Sequence, residues 1–240
     1  MEIRIFDTKE KVALACADIF TEQLKNKKDS VLGLATGASP VKTYEELIKR
    51  CNDGEISFSD VITFNLDEYV DLPKDDKNSY FTFMHENLFN HVDIKEENVH
   101  ILNGNAENTE NEAAEFDAMI DETGGIDVQL LGIGTNGHIG FNEPSDAFTD
   151  GTFKVKLTDS TIASNSIYFD ENPMPRYALT MGVGSIMKAK KIVLIATGSS
   201  KANAIKSTVK GSVDPHCPAS ILQQHPDAIL LLDKEAAALI

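Results

Sequence analysis

Positive charge is scarce in this 240-residue chain. Lys and Arg number 22 against 38 Asp and Glu, a formal net charge of −16 at pH 7. A field of that sign repels nucleic acid and anionic membrane surfaces, so neither is expected as a partner. It does not exclude a phosphorylated small molecule. Salt screens diffuse charge beyond about 10 Å, and local amides or one cation then decide. Cysteine is sparse too. Cys16, Cys51 and Cys217 are far apart and in no CxxC or CxxH spacing, which speaks against a disulfide framework or a thiolate metal site and fits reduced thiols. Long apolar runs are missing, and the start MEIRIFDTKEK has no apolar core behind a basic segment. A membrane span and a secretory signal are therefore not expected, and the chain reads as soluble and cytoplasmic. Internal repeats, low-complexity tracts and linkers are absent as well, so one domain over 1–240 is the economical reading.

What is present is alternation. Met1 to Phe6, Val31 to Ala35, Asp60 to Leu66, Val128 to Leu131, Lys191 to Ala196 and Ala228 to Leu232 read as strands, with a short one between Asn98 and Leu102. Between them, Lys9 to Leu24 carries Val12, Ala15, Cys16, Ile19, Phe20 and Leu24 at helical spacing. Helices are also expected around Tyr44 to Ile48, over Tyr80 to Phe89, over the acidic stretch Glu107 to Glu122, after Lys201, and briefly from Pro218 to Leu222. Strand and helix in turn predict an α/β fold: three layers, Rossmann-like, with a mostly parallel central sheet and helices on both faces. The region from about 146 to 180 lacks clear periodicity. A weakly patterned insertion of this kind is a lid or binding loop, or else a peripheral hairpin.

Three places carry candidate chemistry. Strand, Thr36-Gly37-Ala38-Ser39-Pro40, helix is an anion-binding arrangement, with free N–H groups at the helix start and hydroxyls on Ser39 and Thr43. The plainer alternative is an N-cap followed by proline, and the lysine of a Walker motif is missing. A second strand, small-residue turn, helix unit ends in Lys201, which either reaches an anion or is solvated. Asp67 and Glu68 follow the Asp60 to Leu66 run. Neighbours on extended chain point to opposite faces, so one acid faces the cleft as a candidate general base and the other is solvated or structural. The third place is LLGIGTNGHIGFNEP, Leu130 to Pro144, where glycines at 132, 134, 137 and 140 surround Asn136, His138 and Glu143. Glycine allows close backbone approach to a ligand, and loops past buried strands hold ligands in open α/β sheets. A glycine-rich turn with local polar pairing is the competing reading.

Five segments together resemble one family, glucosamine-6-phosphate deaminase: LGLATGASP (32–40), FNLDEYV (64–70), SYFTFM (79–84), GIGTNGHIGFNEP (132–144) and CPASILQQHP (217–226). Their order and spacing fit along essentially the whole chain. The related 6-phosphogluconolactonases share a Gly-His loop but typically continue it with Ser-Leu-Phe-Pro in place of FNEP. The resemblance implies isomerisation and deamination of glucosamine 6-phosphate to fructose 6-phosphate and ammonia, with neither metal nor organic cofactor. It implies Asp67 as the base that takes the C2 proton and returns one at C1, and His138 as the group that opens the pyranose ring, oriented by Glu143 with help from Asn136. Thr36, Gly37, Ser39 and Lys201 match positions that hold the sugar or its phosphate.

Three departures shape the expectations. Asn136 stands where some members have aspartate. Ile167 stands where the family has a lid arginine that grips phosphate, a charge-assisted contact whose absence costs about 1.5–3 kcal/mol of binding. Phe153 and Val155 fall where activated hexameric relatives carry cations, which argues against activation by N-acetylglucosamine 6-phosphate. The competing functions are a lactonase or isomerase of another phosphosugar, and a sugar-phosphate sensor without turnover. A small phosphosugar is the expected partner, and homo-oligomerisation is left open.

Overall fold

The structure is a computed structural model that describes residues 1–166, 169 and 174–240. Its centre is a seven-stranded sheet in which every pairing is parallel. The chain lays down β1 (Glu2–Phe6), α1 (Lys9–Asn26), β2 (Val31–Leu34), α2 (Val41–Asn52), β3 (Ile62–Asn65), β4 (Asp67–Tyr69), α3 (Tyr80–Asn87) and β5 (Val99–His100). It continues with α4 (Thr109–Glu122), β6 (Val128–Leu131), β7 (Phe153–Lys156), α5 (Asp159–Asn165), β8 (Tyr177–Thr180), α6 (Val183–Met187), β9 (Lys191–Ala196), α7 (Ala202–Lys210) and β10 (Ala228–Asp233). The central order is β1-β10-β9-β6-β2-β3-β5. A strand covered on both faces should be apolar throughout rather than alternating, and β6, β2 and β10 are buried at every residue. Each Ile or Leu so buried stabilises by about 1.5–3 kcal/mol relative to exposure.

The order determines where a site can form. From β2 the chain steps outward to β3, and later returns to the opposite side of β2 as β6. At such a reversal the loops leaving neighbouring strands part in opposite directions and open a crevice beyond the carboxyl ends. The loops after β2, β3, β6 and β9 meet there. Buried anchors fix two of them. The Tyr44 hydroxyl donates to the Ala35 carbonyl at 2.6 Å, pinning the end of β2. Asp233, at the end of β10, accepts from the Gly198 N–H at 3.0 and 2.9 Å and pins the turn after β9.

The sequence reading is corrected at one point and extended at another. Asp67 does not end β3. With Glu68 and Tyr69 it forms β4, which leaves the central sheet for a second, three-stranded antiparallel sheet ordered β4-β8-β7. The weakly patterned 146–180 region holds the other two strands and α5, so it contains the hairpin and also a helix that reaches the candidate site. Short strands over a small second apolar cluster, including Tyr69, Phe141, Leu157 and Ala178, leave too little periodicity to read. Val155 packs against that cluster. Ile167 lies outside the described residues. Among those described, no helix is long and apolar enough to cross a membrane, and the three cysteines are free.

Candidate active site

Thr36, Gly37, Ser39, Asp67, His138 and Lys201 line one cleft of about 340 Å³, within the range of small-molecule sites. Asn136 and Glu143 do not line it. They contact His138 from the same loop. Thr43, expected to offer a hydroxyl to an anion, is fully buried and lines no part of the cleft; one turn into α2, its side chain faces the core.

The first wall is the loop after β2. Gly37 has φ +86°, a conformation that strains any residue with a Cβ. The loop turns through it into α2, whose start has no side-chain cap and no acidic residue in its first turn. Ser39 is therefore not the cap that the plainer reading made it. Uncapped N–H groups at the positive end of a helix attract an anion. Lys201 adds charge to the same cleft. Its ammonium donates to the Ile133 carbonyl at 2.7 Å, and among the described residues it lies in no ion pair. Burial lowers its pKa.

Asp67 and Glu68 occupy opposite faces of β4, as adjacent residues on extended chain must. Both are buried. Glu68 caps α3: Oε1 accepts the Tyr69 and Tyr80 amides at 2.8 and 3.0 Å, and Oε2 accepts the Phe81 amide at 2.9 Å. Of the two fates open to the second acid, it has the structural one. Asp67 faces the cleft, and no hydrogen bond or ion pair of its carboxylate is seen among the described residues. Burial, reinforced by the Glu68 charge, pushes Asp67 up to about 8. A carboxyl group poised near neutrality can both take and return a proton.

The loop after β6 carries His138, and its glycines determine where the imidazole lies. A Cβ on Gly134 would sit 2.2 Å from His138 Cε1, so only glycine leaves room for the ring. Gly137, at φ +89°, lets the loop press against Cys217, where a Cβ would meet the sulfur at 2.6 Å. Asn142 ties this loop to the Asp67 side by donating to the carbonyls of Ile139 and Met181, both at 2.9 Å. The Met181 amide in turn donates to the Leu66 carbonyl at 2.8 Å. His138 Nδ1 is buried and faces Glu143 Oε2 at 3.5 Å, an ion-pair distance slightly too long for a full hydrogen bond. The Asn136 amide donates to the same Oε2 at 2.7 Å, and its carbonyl oxygen accepts the His138 N–H at 3.2 Å. Burial alone would raise Glu143, but His138, Thr161 and Asn136 outweigh it and hold the carboxyl at about 2. An anion so placed favours a proton on Nδ1 and leaves Nε2 to exchange protons.

Sequence reasoning missed the residues supplied from farther along the chain. Thr161 and Asn165 of α5, together with Tyr80, also line the cleft. The Tyr80 and Tyr69 hydroxyls lie 3.2 Å apart, and the Asn165 amide donates to Tyr69 Oη at 3.2 Å. The only local signal was the Thr158-x-x-Thr161 helix start, which marks a cap and not a site. Among the described residues no group of His, Cys, Asp and Glu is placed to hold a metal ion.

The family model described as glucosamine-6-phosphate isomerases/6-phosphogluconolactonase matches residues 7–231. A glucosamine-6-phosphate deaminase of Thermoanaerobacter pseudethanolicus is 51% identical over 241 residues, covering 100% of this chain and 95% of the relative. The deaminase of Lysinibacillus sphaericus is 52% identical over 232 residues, covering 96% and 97%. A solved structure of a monomeric glucosamine-6-phosphate deaminase superposes with a TM-score of 0.96 at 41% identity over 100% of both chains. A 6-phosphogluconolactonase of Thermotoga maritima shares the fold alone, with a TM-score of 0.78 at 20% identity over 97% of this chain and 99% of that one.

Proposed function

The chain belongs to the glucosamine-6-phosphate isomerase/6-phosphogluconolactonase family, and from that membership we propose that it is a glucosamine-6-phosphate deaminase of amino-sugar catabolism. It converts glucosamine 6-phosphate and water to fructose 6-phosphate and ammonia. The observation that carries this reading is the pairing in one cleft of a buried, protonatable Asp67 with a carboxylate-backed His138. A sensor needs neither.

We assign the steps as follows. The substrate phosphate lies against the Thr36 to Ser39 loop and the start of α2, with Lys201 as its cation. His138 takes the proton of the sugar's O1 hydroxyl and delivers one to O5, breaking the C1–O5 bond and giving the open-chain aldehyde. Glu143 and Asn136 hold the imidazole in the required tautomer. Asp67 removes the C2 proton while the C2 ammonium passes one to O1, giving an enolamine, and then returns a proton to C1, leaving an imine, in its protonated form, at C2. Water adds to that imine, and expulsion of ammonia leaves the ketone. We further propose that residues 1–240 act as one domain, in the cytoplasm, and as a monomer; likeness to the monomeric deaminase structure supports the last.

Incubation with glucosamine 6-phosphate should release fructose 6-phosphate and ammonia in equal amounts. Binding without turnover at saturating substrate would instead make the protein a sensor, and hydrolysis of 6-phosphogluconolactone alone would make it a lactonase. The residue at 167 provides a separate test of phosphate affinity. Ile167→Arg should lower KM about ten- to hundred-fold, the worth of one charge-assisted contact, with kcat little changed. An unchanged KM would mean that the phosphate is already fully held by other groups.

A further inference from the structure

Glu143 is held from two sides. Oε2 receives the Asn136 amide at 2.7 Å and faces His138 Nδ1 at 3.5 Å. Oε1 receives the Thr161 hydroxyl, with the Thr158 hydroxyl at 3.4 Å. Asn136 and His138 belong to Glu143's own loop. The threonines do not: they stand at the start of α5, a separate element of the fold. Helix capping does not require the contact. The cap of α5 is made by the Thr158 side chain, which accepts the Thr161 N–H at 3.2 Å; the Thr158 hydroxyl also donates to the Thr161 hydroxyl at 3.1 Å, while Thr161 donates its own proton to Glu143. Thr161 is buried, and it lines the cleft.

A carboxylate is planar, so fixing one oxygen fixes the other. With Oε1 released, the Asn136 amide would be the one remaining hydrogen bond described on the carboxylate, and rotation about its terminal bond could carry Oε2 off Nδ1, where the present 3.5 Å leaves little margin. We propose that Thr161 is a positioning residue for ring opening: its hydroxyl locks the Glu143 carboxylate in the orientation that aims Oε2 at His138, so that the histidine is aligned only while α5 is seated. This rests on His138 acting as the ring-opening group. It also gives α5 a role beyond covering the cleft. Seating of the helix and alignment of the imidazole become one event, which keeps the histidine from working before the site is assembled.

The test is a kinetic cycle on the full chain with glucosamine 6-phosphate. Thr161→Val keeps the shape and removes the hydroxyl; kcat should fall about ten-fold or more, the usual worth of a hydrogen bond to a charged group, with KM changed less than three-fold, on the order of the spread among neutral changes. Thr161→Ser should recover most of kcat. In a Glu143→Gln background the Val change should cost almost nothing further, because the two residues act as one unit. Thr161→Ala, read beside thermal melts of every variant, serves as a second removal of the hydroxyl. A parental kcat in both hydroxyl-free variants would overturn the proposal. So would an equal loss in the Ser and Val variants, a change confined to KM, or a full additional loss in the Glu143→Gln background. Absence of turnover in the parent protein would instead defeat the deaminase reading itself.

Discussion

Asp67→Asn is expected to abolish exchange of the substrate C2 proton with solvent and to lower kcat by about 10²–10⁴-fold or more while the chain stays folded. Asparagine matches aspartate in shape, and Asp67 makes no described hydrogen bond that the amide would break. What disappears is the ability to accept a proton. NMR of the C2 position in deuterated water reads the step directly, and an Asp67→Asn protein that still exchanged that proton at the parental rate would remove Asp67 from its role.

The same residue determines the expected pH dependence. Burial, reinforced by the Glu68 charge, raises Asp67 to about 8. A base works only when ionised, so kcat/KM should fall as pH drops through about 8. The C2 ammonium of bound substrate would favour the ionised carboxylate, so the corresponding limb of kcat should lie at lower pH. Stability runs the other way. The folded state holds the Asp67 proton more tightly than the unfolded chain, whose pKa is near 3.9, so between about 4 and 8 the folded state binds more protons and loses stability as pH rises. An asparagine at this position carries no charge to desolvate. The Asp67→Asn variant should therefore melt higher than the parent at pH 8, and the gain should vanish near pH 4. Equal melting temperatures at both pH values would show that Asp67 is not under this electrostatic load.

Gly134→Ala is the second large effect. The added methyl carbon would stand 2.2 Å from Cε1, 2.3 Å from Nδ1 and 2.5 Å from Nε2 of His138, closer than carbon and nitrogen can approach. The backbone there cannot yield easily. Gly134 N–H donates to the His138 carbonyl at 2.9 Å, and Gly137 N–H donates to the Gly134 carbonyl at 3.1 Å. The imidazole must swing out and give up Glu143. A catalytic group misplaced by about 1 Å commonly costs on the order of 100-fold in rate, so kcat should fall at least that far. The Thr36 to Ser39 loop, proposed to hold the phosphate, is untouched, so substrate affinity should persist. Steady-state kinetics beside a direct binding measurement would separate the two. If the Gly134→Ala protein turned over at the parental kcat, the present seat of His138 would not be needed for catalysis.

Much of this molecule is legible in the chain itself, and the reason is local. The buried parallel strands are continuous apolar runs, so β2, β6, β9 and β10 announce themselves, and the helices between them carry their own periodicity. The glycines at 134 and 137 around His138, and the Asp67-Glu68 pair after an apolar run, also lie within a few residues of the chemistry they support. The resemblance to the deaminases rested on those short segments.

Other features depend on partners that are distant in sequence. That Asp67, and not Glu68, faces the cleft follows from β4 leaving the central sheet to pair with β8, which hands Glu68 to the amides that open α3. From its place near a helix start Thr43 reads as an anion ligand, but helical rotation turns it into the core. Thr161 reaches Glu143 only because the β7 to β8 excursion lays α5 over the loop after β6, and two threonines at a helix start look the same whether or not a carboxylate lies opposite. The sequence by itself determined the layered α/β architecture and the residue types of the chemistry, because apolar periodicity and glycine placement act over a turn or a strand. Only the tertiary structure decided how Glu68 is taken up by the amides that open α3 while Asp67 faces the cleft, and which residues from outside the loop reach Glu143, because burial and long-range pairing belong to the packed chain and not to any segment of it.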